Sequence, residues 1–320
     1  MGQGQEHKTR DDVQVEIQEK GEIFFFYRPK VNKEEVHSVD DVQRLYIVLR
    51  PESGERAVEE KQDPHSGKEG ANAKSESDEE PQTGSATSRK EGGQGSQKVN
   101  IEEEPLLRFI VMGRKKLPDP SKKSQSFWGF VELVTTMIEH VKDALKGEEY
   151  ETSSRGHRHV SPARAVGEGV YRLLRHNPKK NKMHTHLIYK LEFPAPKEEE
   201  ENEPQESLNI EREGSFLIQI KNPSKASNSE FEGLGNKRKA AFPAHLQGQL
   251  GKTRYHPADP PDLLNYEGCE LLLISASDDI DEELGLELET EGEADPSCSD
   301  LVRTFGDTAS TTPLFKGIWA

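Results

Sequence analysis

The sequence predicts an α+β protein that is mostly antiparallel β, with about seven strands in a sandwich or a barrel and one long amphipathic helix. Short apolar runs that end near a proline or a glycine recur along the chain, as is typical of strands. One segment instead repeats its apolar side chains with the period of a helix. Only 31% of the 320 residues are hydrophobic and 32% are charged, so we expect a modest core interrupted by disordered acidic insertions.

Three predicted strands precede the helix. Residues 23–27 (Ile-Phe-Phe-Phe-Tyr) and 45–49 (Leu-Tyr-Ile-Val-Leu) are each followed two residues later by a proline. Residues 106–112 (Leu-Leu-Arg-Phe-Ile-Val-Met) end at Gly113. Aromatic and β-branched side chains are common in these runs, which favours strands.

The helix is predicted over residues 127–145. Ser126 can cap its start and Gly147 its end. The spacing of the apolar side chains is i, i+3, i+4, i+7 over five turns. These side chains are Phe127, Phe130, Val131, Val134, Met137, Ile138, Val141, Ala144 and Leu145.

Strand patterns resume at 169–175, 186–193, 215–221 and 269–275. The last of these runs is so apolar at its centre that it should be buried on both faces. The acidic residues at 278–283 suit the first turn of a short helix, because carboxylates interact favourably with a helix N-terminus.

These patterns predict one discontinuous β-rich domain, residues 21–50 and 100–276. A polar N-terminal tail covers residues 1–20, and an acidic C-terminal region covers 277–320. Between the two parts of the domain, residues 51–99 carry 18 charged side chains and no aromatic one. Such a segment buries too little apolar surface to offset the entropy of ordering, so we predict a disordered linker insertion.

Composition and the absence of sorting signals predict the cellular compartment. No apolar run approaches the ~20 residues that span a bilayer, so we expect no membrane association. We find no secretory or transit signal, and two cysteines are too few for a disulfide scaffold. We therefore expect a cytoplasmic or nuclear protein.

A basic strip stands out in a chain whose net charge is −16. Residues 155–190 contain nine lysines and arginines, five histidines and a single acid, Glu168. Arginine can grip phosphate oxygens with two parallel hydrogen bonds, so the strip is a candidate for binding phosphate or nucleic acid. The alternative is that it neutralises the acidic insertions of the same chain. The candidate residues are Arg155, Arg158, Arg172, Arg175, Lys179, Lys180 and Lys182.

Two His-X-His pairs are candidates for a metal site. His157 with His159, and His184 with His186, would each share one face of a strand. A catalytic zinc site needs three protein ligands, and His256 or Asp259 is a candidate for the third. The alternative is that these histidines are solvated or bound to the backbone.

We assign no catalytic or cofactor-binding residue and expect no cofactor, because the nucleophile and nucleotide-binding motifs are absent. Cys269 lies in an apolar strand and should be inert, whereas Cys298 has no base beside it. Ser75, Ser77 and Ser161 lie in contexts that suit protein kinases, which predicts a phosphoprotein. Phosphate on Ser161 would weaken the attraction of the basic strip for anions.

Five segments carry a resemblance to a known family. They are residues 21–31, 41–51, 167–176 (Gly-Glu-Gly-Val-Tyr-Arg-Leu-Leu-Arg-His), 208–216 and 259–268. Together they resemble an uncharacterised family of land-plant proteins with apparent bacterial relatives, over nearly the whole chain outside the linker. Some plant members carry the label "BTB/POZ domain-containing", which implies a dimerising adaptor such as one that recruits substrates to a ubiquitin ligase. The resemblance supplies no functional positions.

The sequence thus favours a non-enzymatic binding or adaptor module with a protein partner. A phosphate- or nucleic-acid-binding protein that uses the basic strip is the first alternative. A metal-dependent enzyme that uses the His-X-His pairs is the second. The oligomeric state is left open.

Overall fold

The computed structural model describes residues 4–52, 56–64, 95–152, 156–177, 183–195, 203–225, 233–290 and 299–320. The strands in these parts of the chain are β1 (Gln5–Lys8), β2 (Val15–Pro29), β3 (Val42–Glu52), β4 (Val58–Gln62), β5 (Ser96–Asn100), β6 (Leu107–Met112), β7 (Ser126–Thr135), β8 (Glu148–Thr152), β9 (Gly156–Val160), β10 (Arg164–His176), β11 (His184–Phe193), β12 (Glu213–Lys221), β13 (Tyr255–Pro257), β14 (Glu270–Ser277) and β15 (Leu286–Glu289). The helices are α1 (Ile138–Leu145), α2 (Glu203–Ser207), α3 (Ala244–Leu250), α4 (Ile280–Leu284), α5 (Asp300–Phe305) and α6 (Thr312–Lys316), with 3₁₀ helices at Val39–Asp41 and Pro261–Asn265.

Eight of the strands close into an antiparallel barrel. The order around it is β2-β3-β6-β7-β14-β12-β11-β10, and β10 pairs with β2 to complete the circle. The short strand β13 pairs with the last residues of β12, which lie beyond the residues of β12 that pair with β11. Closure depends on two pairings between distant parts of the chain, β10 with β2 and β14 with β7. A closed barrel has no free sheet edge to protect.

The interior of the barrel is a packed core. Phe25 and Tyr189 meet edge to face with ring centroids 5.2 Å apart, and Tyr189 stacks on Phe216 at 6.2 Å. All eight strands contribute buried side chains, since alternate residues of each strand point inward. Eight strands enclose a space that such side chains can fill. The inward residues include Ile23, Phe25, Tyr27, Leu45, Ile47, Leu49, Ile110, Met112, Val131, Tyr171, Leu173, Leu187, Tyr189, Leu191, Phe216, Ile218, Ile220, Leu271 and Leu273.

The seven predicted strands are confirmed, and they form β2, β3, β6, β10, β11, β12 and β14. The coarse class, α+β with mostly antiparallel strands, is confirmed as well. The short acidic helix is also present as α4, where the Asp279 side chain accepts a hydrogen bond from the backbone N–H of Glu282 at 2.7 Å.

The prediction of one long helix over residues 127–145 is wrong. Its first half is β7, the eighth strand of the barrel, and only Ile138–Leu145 is helical. Strand β7 pairs with β6 on one side and with β14 on the other. Val131 packs inside the barrel and Phe130 packs on its outside. A strand buried on both faces does not alternate polar and apolar residues, so its pattern can imitate a helix.

Parts of the predicted tail, linker and C-terminal region are ordered. Strand β1 from the tail pairs with β15 from the C-terminal region. Strands β4 and β5 from the predicted linker form a hairpin, while residues 65–94 lie outside the described residues. None of the helices in the described residues is long and apolar enough to cross a membrane.

Two apolar clusters cover the outside of the barrel. Phe24, Phe26 and Phe109 pack with residues from α1, α5 and α6. On another side, Leu174 and Ile188 pack against α4 and β15. The barrel wall is therefore buried on both faces in these regions, which explains why its strands are so apolar.

Candidate functional site

Two arginines of the predicted basic strip are held by carboxylates of the same chain. Arg172 is fully buried, and its Nη2 atom lies 2.7 Å from Oε2 of Glu6. Nη2 of Arg175 lies 2.8 Å from Oδ2 of Asp259, and its Nη1 lies 3.0 Å from Oε2 of Glu16. These carboxylates neutralise the two charges that the sequence offered to a phosphate ligand.

One other member of the strip is described, and it is not gathered with these two. Arg158 lies on β9, in the separate β8–β9 hairpin, opposite Tyr150. The structure therefore places the described members in two different sheets. The remaining candidates lie outside the described residues: Arg155, Lys179, Lys180 and Lys182.

The two His-X-His pairs have different surroundings. His157 and His159 each lie 3.7 Å from the carboxylate of Glu149 across the β8–β9 hairpin. His184 and His186 lie at the start of β11. Burial lowers the pKa of His186 to about 3, and the charges of neighbouring histidines contribute to this shift. Within the described residues, no three His, Cys, Asp or Glu side chains are grouped as metal ligands would be.

Ser215, His186 and Glu283 meet, but not in the geometry of a catalytic triad. A triad places the serine on one ring nitrogen and the carboxylate on the other. Here Oγ of Ser215, at 3.0 Å, and Oε1 of Glu283, at 4.0 Å, both face Nδ1 of His186. Ser215 is also fully buried, so its hydroxyl is closed to a substrate.

The remaining nucleophile and modification candidates that the structure describes are buried. Burial raises the pKa of the Cys269 thiol, which makes it inert. Ser161 is 3% exposed, and its hydroxyl donates to the carbonyl oxygen of Lys33 at 2.7 Å. Ser75, Ser77 and Cys298 lie outside the described residues.

Residues 299–320 pack on the outside of the barrel. We call these residues the C-terminal segment, and we call the surface beneath them the docking face. The docking face consists of Glu22, Phe24, Phe26, Arg50, Glu168 and Phe193.

Glu168 holds the beginning of α5. It lies between Gly167 and Gly169, where the pairing of β10 with its neighbours shifts register, and such bulges can redirect a side chain. Its Oε1 accepts the backbone N–H groups of Asp300 at 2.8 Å and Leu301 at 3.2 Å, while its Oε2 accepts the hydroxyl of Ser299. One buried carboxylate of the barrel thus satisfies backbone donors that a helix start leaves free.

Aromatic rings anchor the rest of the segment. Phe305 meets the edges of Phe24 and Phe26, with ring centroids 5.8 and 5.6 Å apart. Further along, Phe315 meets Phe193 at 5.7 Å. Pairs of this kind are worth about 0.5–1.5 kcal/mol beyond the area that they bury.

The middle of the segment is bound through its backbone. The carbonyl oxygen of Ser310 accepts the N–H of Ala165 at 2.8 Å, and a parallel bridge joins Ser310 to Arg164. The Gln205 amide donates to the carbonyl oxygens of Val166 at 2.8 Å and Pro313 at 3.1 Å. Main-chain pairing and side-chain anchors are combined in the same way in strand-addition complexes with peptides.

A cluster of acids surrounds the start of α5. Glu22, Glu52 and Asp300 all contact the single guanidinium of Arg50. Burial raises the pKa of Glu22 to about 10, against the lowering effect of Arg50. Glu22 is therefore neutral at pH 7, and its proton bonds to the Asp300 carboxylate.

A second polar network closes one end of the barrel. Arg108 is fully buried and lies 2.6 Å from Oε1 of Glu19 and 2.9 Å from Oε2 of Glu59. The hydroxyl of Tyr171 donates to Glu19, and Asn265 accepts from Arg108 at 2.6 Å. Burial and the charge of Glu19 raise the pKa of Glu59 to about 7. This network fastens the β4–β5 hairpin to the barrel.

Comparisons with protein-family models, curated proteins and solved structures found no match. The resemblance to the uncharacterised land-plant family therefore stays a prediction.

Sequence reasoning missed the docking face. Its aromatic residues lie in predicted strands, but their outward direction depends on the barrel. In the sequence, Glu168 is distinguished only as the single acid of the basic strip. The available signal was the pattern Ser299-Asp300-Leu301, a capping serine before an acid and an apolar residue.

Proposed function

We propose that this protein is a non-enzymatic binding module that works as an adaptor, and that the docking face recognises a partner segment. The observation that carries the proposal is the buried Glu168 carboxylate, which binds the first residues of α5. A polar clamp at the start and aromatic anchors behind it are features of a peptide-recognition surface.

The chemistry of the face defines the partner segment. Glu168 requires a short helix start with a hydroxyl-bearing cap, as Ser299 supplies. Phe24 and Phe26 require an aromatic side chain in the position of Phe305. The partner therefore carries Ser-Asp-Leu with a phenylalanine six residues after the serine, and it competes with the C-terminal segment.

A labelled synthetic peptide of residues 299–320 tests this proposal. Full-length Phe305→Ala should release the face, because such a truncation in a buried site costs about 3–5 kcal/mol. This variant should bind the peptide at least tenfold more tightly than the wild-type chain does, as measured by fluorescence anisotropy. Circular dichroism checks that the barrel stays folded.

The controls separate recognition from unfolding. Arg303→Ala changes an exposed side chain of the same helix and should bind the peptide as weakly as the wild type does. Adding Glu168→Gln to Phe305→Ala should abolish binding, as should Phe305→Ala within the peptide. Equal binding by Phe305→Ala and the wild type would contradict the proposal.

Polyanion binding through the basic strip is a second proposal, for which Arg158 and the candidates outside the described residues supply the charge. Retention on heparin that falls steeply with salt would support it, because counterions are released when phosphate or sulfate groups are neutralised. The metal-dependent enzyme is a third proposal, and metal analysis of the purified protein tests it.

A further inference from the structure

Arg164, at the start of β10, is a buried arginine that has no carboxylate partner among the residues that the structure describes. It is 9% exposed, and its Nη2 donates to the backbone carbonyl oxygen of Glu34. Its Nη1 is buried and makes no hydrogen bond. The buried arginines Arg108 and Arg172, by contrast, are both paired with glutamates.

This arrangement leaves a positive charge uncompensated. Burying an unpaired charge costs several kcal/mol, so buried charges in proteins are normally paired. Arginine does not avoid the cost by losing its proton, because its pKa is too high. The guanidinium therefore favours any anion that reaches Nη1.

A second polar group lies next to Arg164. Tyr27 is its direct neighbour in the β2–β10 ladder, so both side chains lie on the same face of the sheet. The backbone of Ala320 lies beside the buried Tyr27 hydroxyl, which finds no hydrogen-bond acceptor among the described residues. A cationic N–H and a phenolic O–H thus stand side by side with unused donor capacity.

The end of the C-terminal segment covers Tyr27, while the backbone of Glu34 lies against Arg164. The Trp319 ring meets Tyr27 edge to face, with centroids 5.4 Å apart, and is only partly buried. Its neighbour Ile318 is 51% exposed. Movement of a few terminal residues would therefore uncover Tyr27 without any movement of the barrel.

We propose that Arg164 and Tyr27 form a binding site for an oxyanion, a carboxylate or phosphate group, beneath Trp319. One oxygen of the anion accepts from Nη1 of Arg164 and from the hydroxyl of Tyr27. The site uses none of the six docking-face side chains, so it goes beyond the proposed adaptor function. Its cover, Trp319, belongs to the C-terminal segment, but Arg164→Gln leaves every docking-face side chain in place.

Titration of the full chain with sodium phosphate, and separately with sodium acetate, tests the site. Ionic strength is held constant with sodium chloride, and tryptophan fluorescence and the unfolding temperature are recorded. Trp128 and Trp319 are the two tryptophans, so the signal that is lost in Trp319→Phe reports on the site. We expect saturable binding of at least one anion, with a rise in the unfolding temperature.

Arg164→Gln should weaken this binding at least tenfold, and Arg10→Gln, which changes an exposed arginine beside Asp12, should leave it unchanged. If Arg164→Gln does not fold, Tyr27→Phe keeps the ring and should still weaken binding. Comparison of the two titrations separates a carboxylate ligand from a phosphate ligand. The proposal is overturned if neither anion changes fluorescence, or if Arg164→Gln and the wild type respond alike.

Discussion

Glu22 is a carboxyl group that the fold keeps neutral. It lies on the docking face beside Arg50, Glu52 and Asp300, and its pKa of about 10 results mainly from burial. One guanidinium cannot balance three buried or half-buried carboxylates, so one of them keeps its proton.

The raised pKa predicts that Glu22 makes the protein less stable as pH rises. The folded pKa is above the unfolded value of 4.5, so the contribution of Glu22 is complete below about pH 4.5. It is then lost toward pH 10 at up to about 1.4 kcal/mol per pH unit. Glu22→Gln should remove this slope. The free energy of unfolding of the variant, measured with urea at pH 5, 7 and 9, should therefore increase relative to that of the wild type as pH rises.

Glu139→Gln is the matched control for that measurement. Glu139 is an exposed carboxylate on α1, away from the acid cluster. Its variant should follow the pH profile of the wild type. Parallel profiles for Glu22→Gln and the wild type would show that Glu22 is ionised in the folded protein.

At the scale of single elements, β10 connects the barrel core to the docking face. Its inward side carries Tyr171 and Leu173, and its outward side carries Glu168. The strand can do so because glycine lies on either side of Glu168, where a Cβ would crowd packed side chains at the first glycine and a neighbouring backbone at the second. A Cβ on Gly169 would lie 2.1 Å from the carbonyl oxygen of Lys190 on β11.

Gly169→Ala should therefore destabilise the protein by about 1–3 kcal/mol, the usual cost of overpacking. Gly248, in α3, has no atom within 4 Å of its would-be Cβ. Gly248→Ala should stabilise by about 0.5–1 kcal/mol, because alanine is favoured over glycine within helices. Thermal unfolding measures both, and a loss of stability in both variants or in neither would contradict this account of β10.

Strand β7 shows the limit of periodicity as a predictor. Its apolar residues match a helix template because two different environments bury them, the barrel interior and the cluster under α1, α5 and α6. Aromatic and β-branched residues such as Phe127, Phe130 and Val131 favour a strand over a helix. Composition would therefore have been a better guide than spacing in this segment.

At the scale of the whole molecule, the long insertion between β3 and β6 is attached through a hairpin. Gln62 faces Ser96 at the open end of β4–β5, so the two ends of the insertion are neighbours. Glu59 of β4 bonds to Arg108 and Asn265. The hairpin is thus part of the closed barrel end.

Replacing residues 65–94 by a four-residue glycine-serine turn should leave the fold intact. A shorter connection between β4 and β5 loses less entropy when it closes, so the free energy of unfolding should rise. The rise should be only about 1–2 kcal/mol, because loop-closure entropy depends weakly on length. Urea unfolding measures the change. Deleting residues 58–100 should instead destabilise the protein, because it also removes Glu59 and leaves Arg108 less well paired. Equal effects of the two deletions would contradict the role given to the hairpin.

The sequence by itself determined where seven of the eight barrel strands lie, because each is a short apolar run that ends at proline, glycine or a polar segment. It also determined the short helix α4, since a capping aspartate and its acidic first turn are local features. Only the tertiary structure decided that β7 is a strand and that Glu6 and Asp259 neutralise Arg172 and Arg175. It also decided that Arg164 has no such partner in the part of the chain that the structure describes. The reason is that pairing between residues far apart in the chain depends on barrel closure, which leaves no signature in local periodicity or charge.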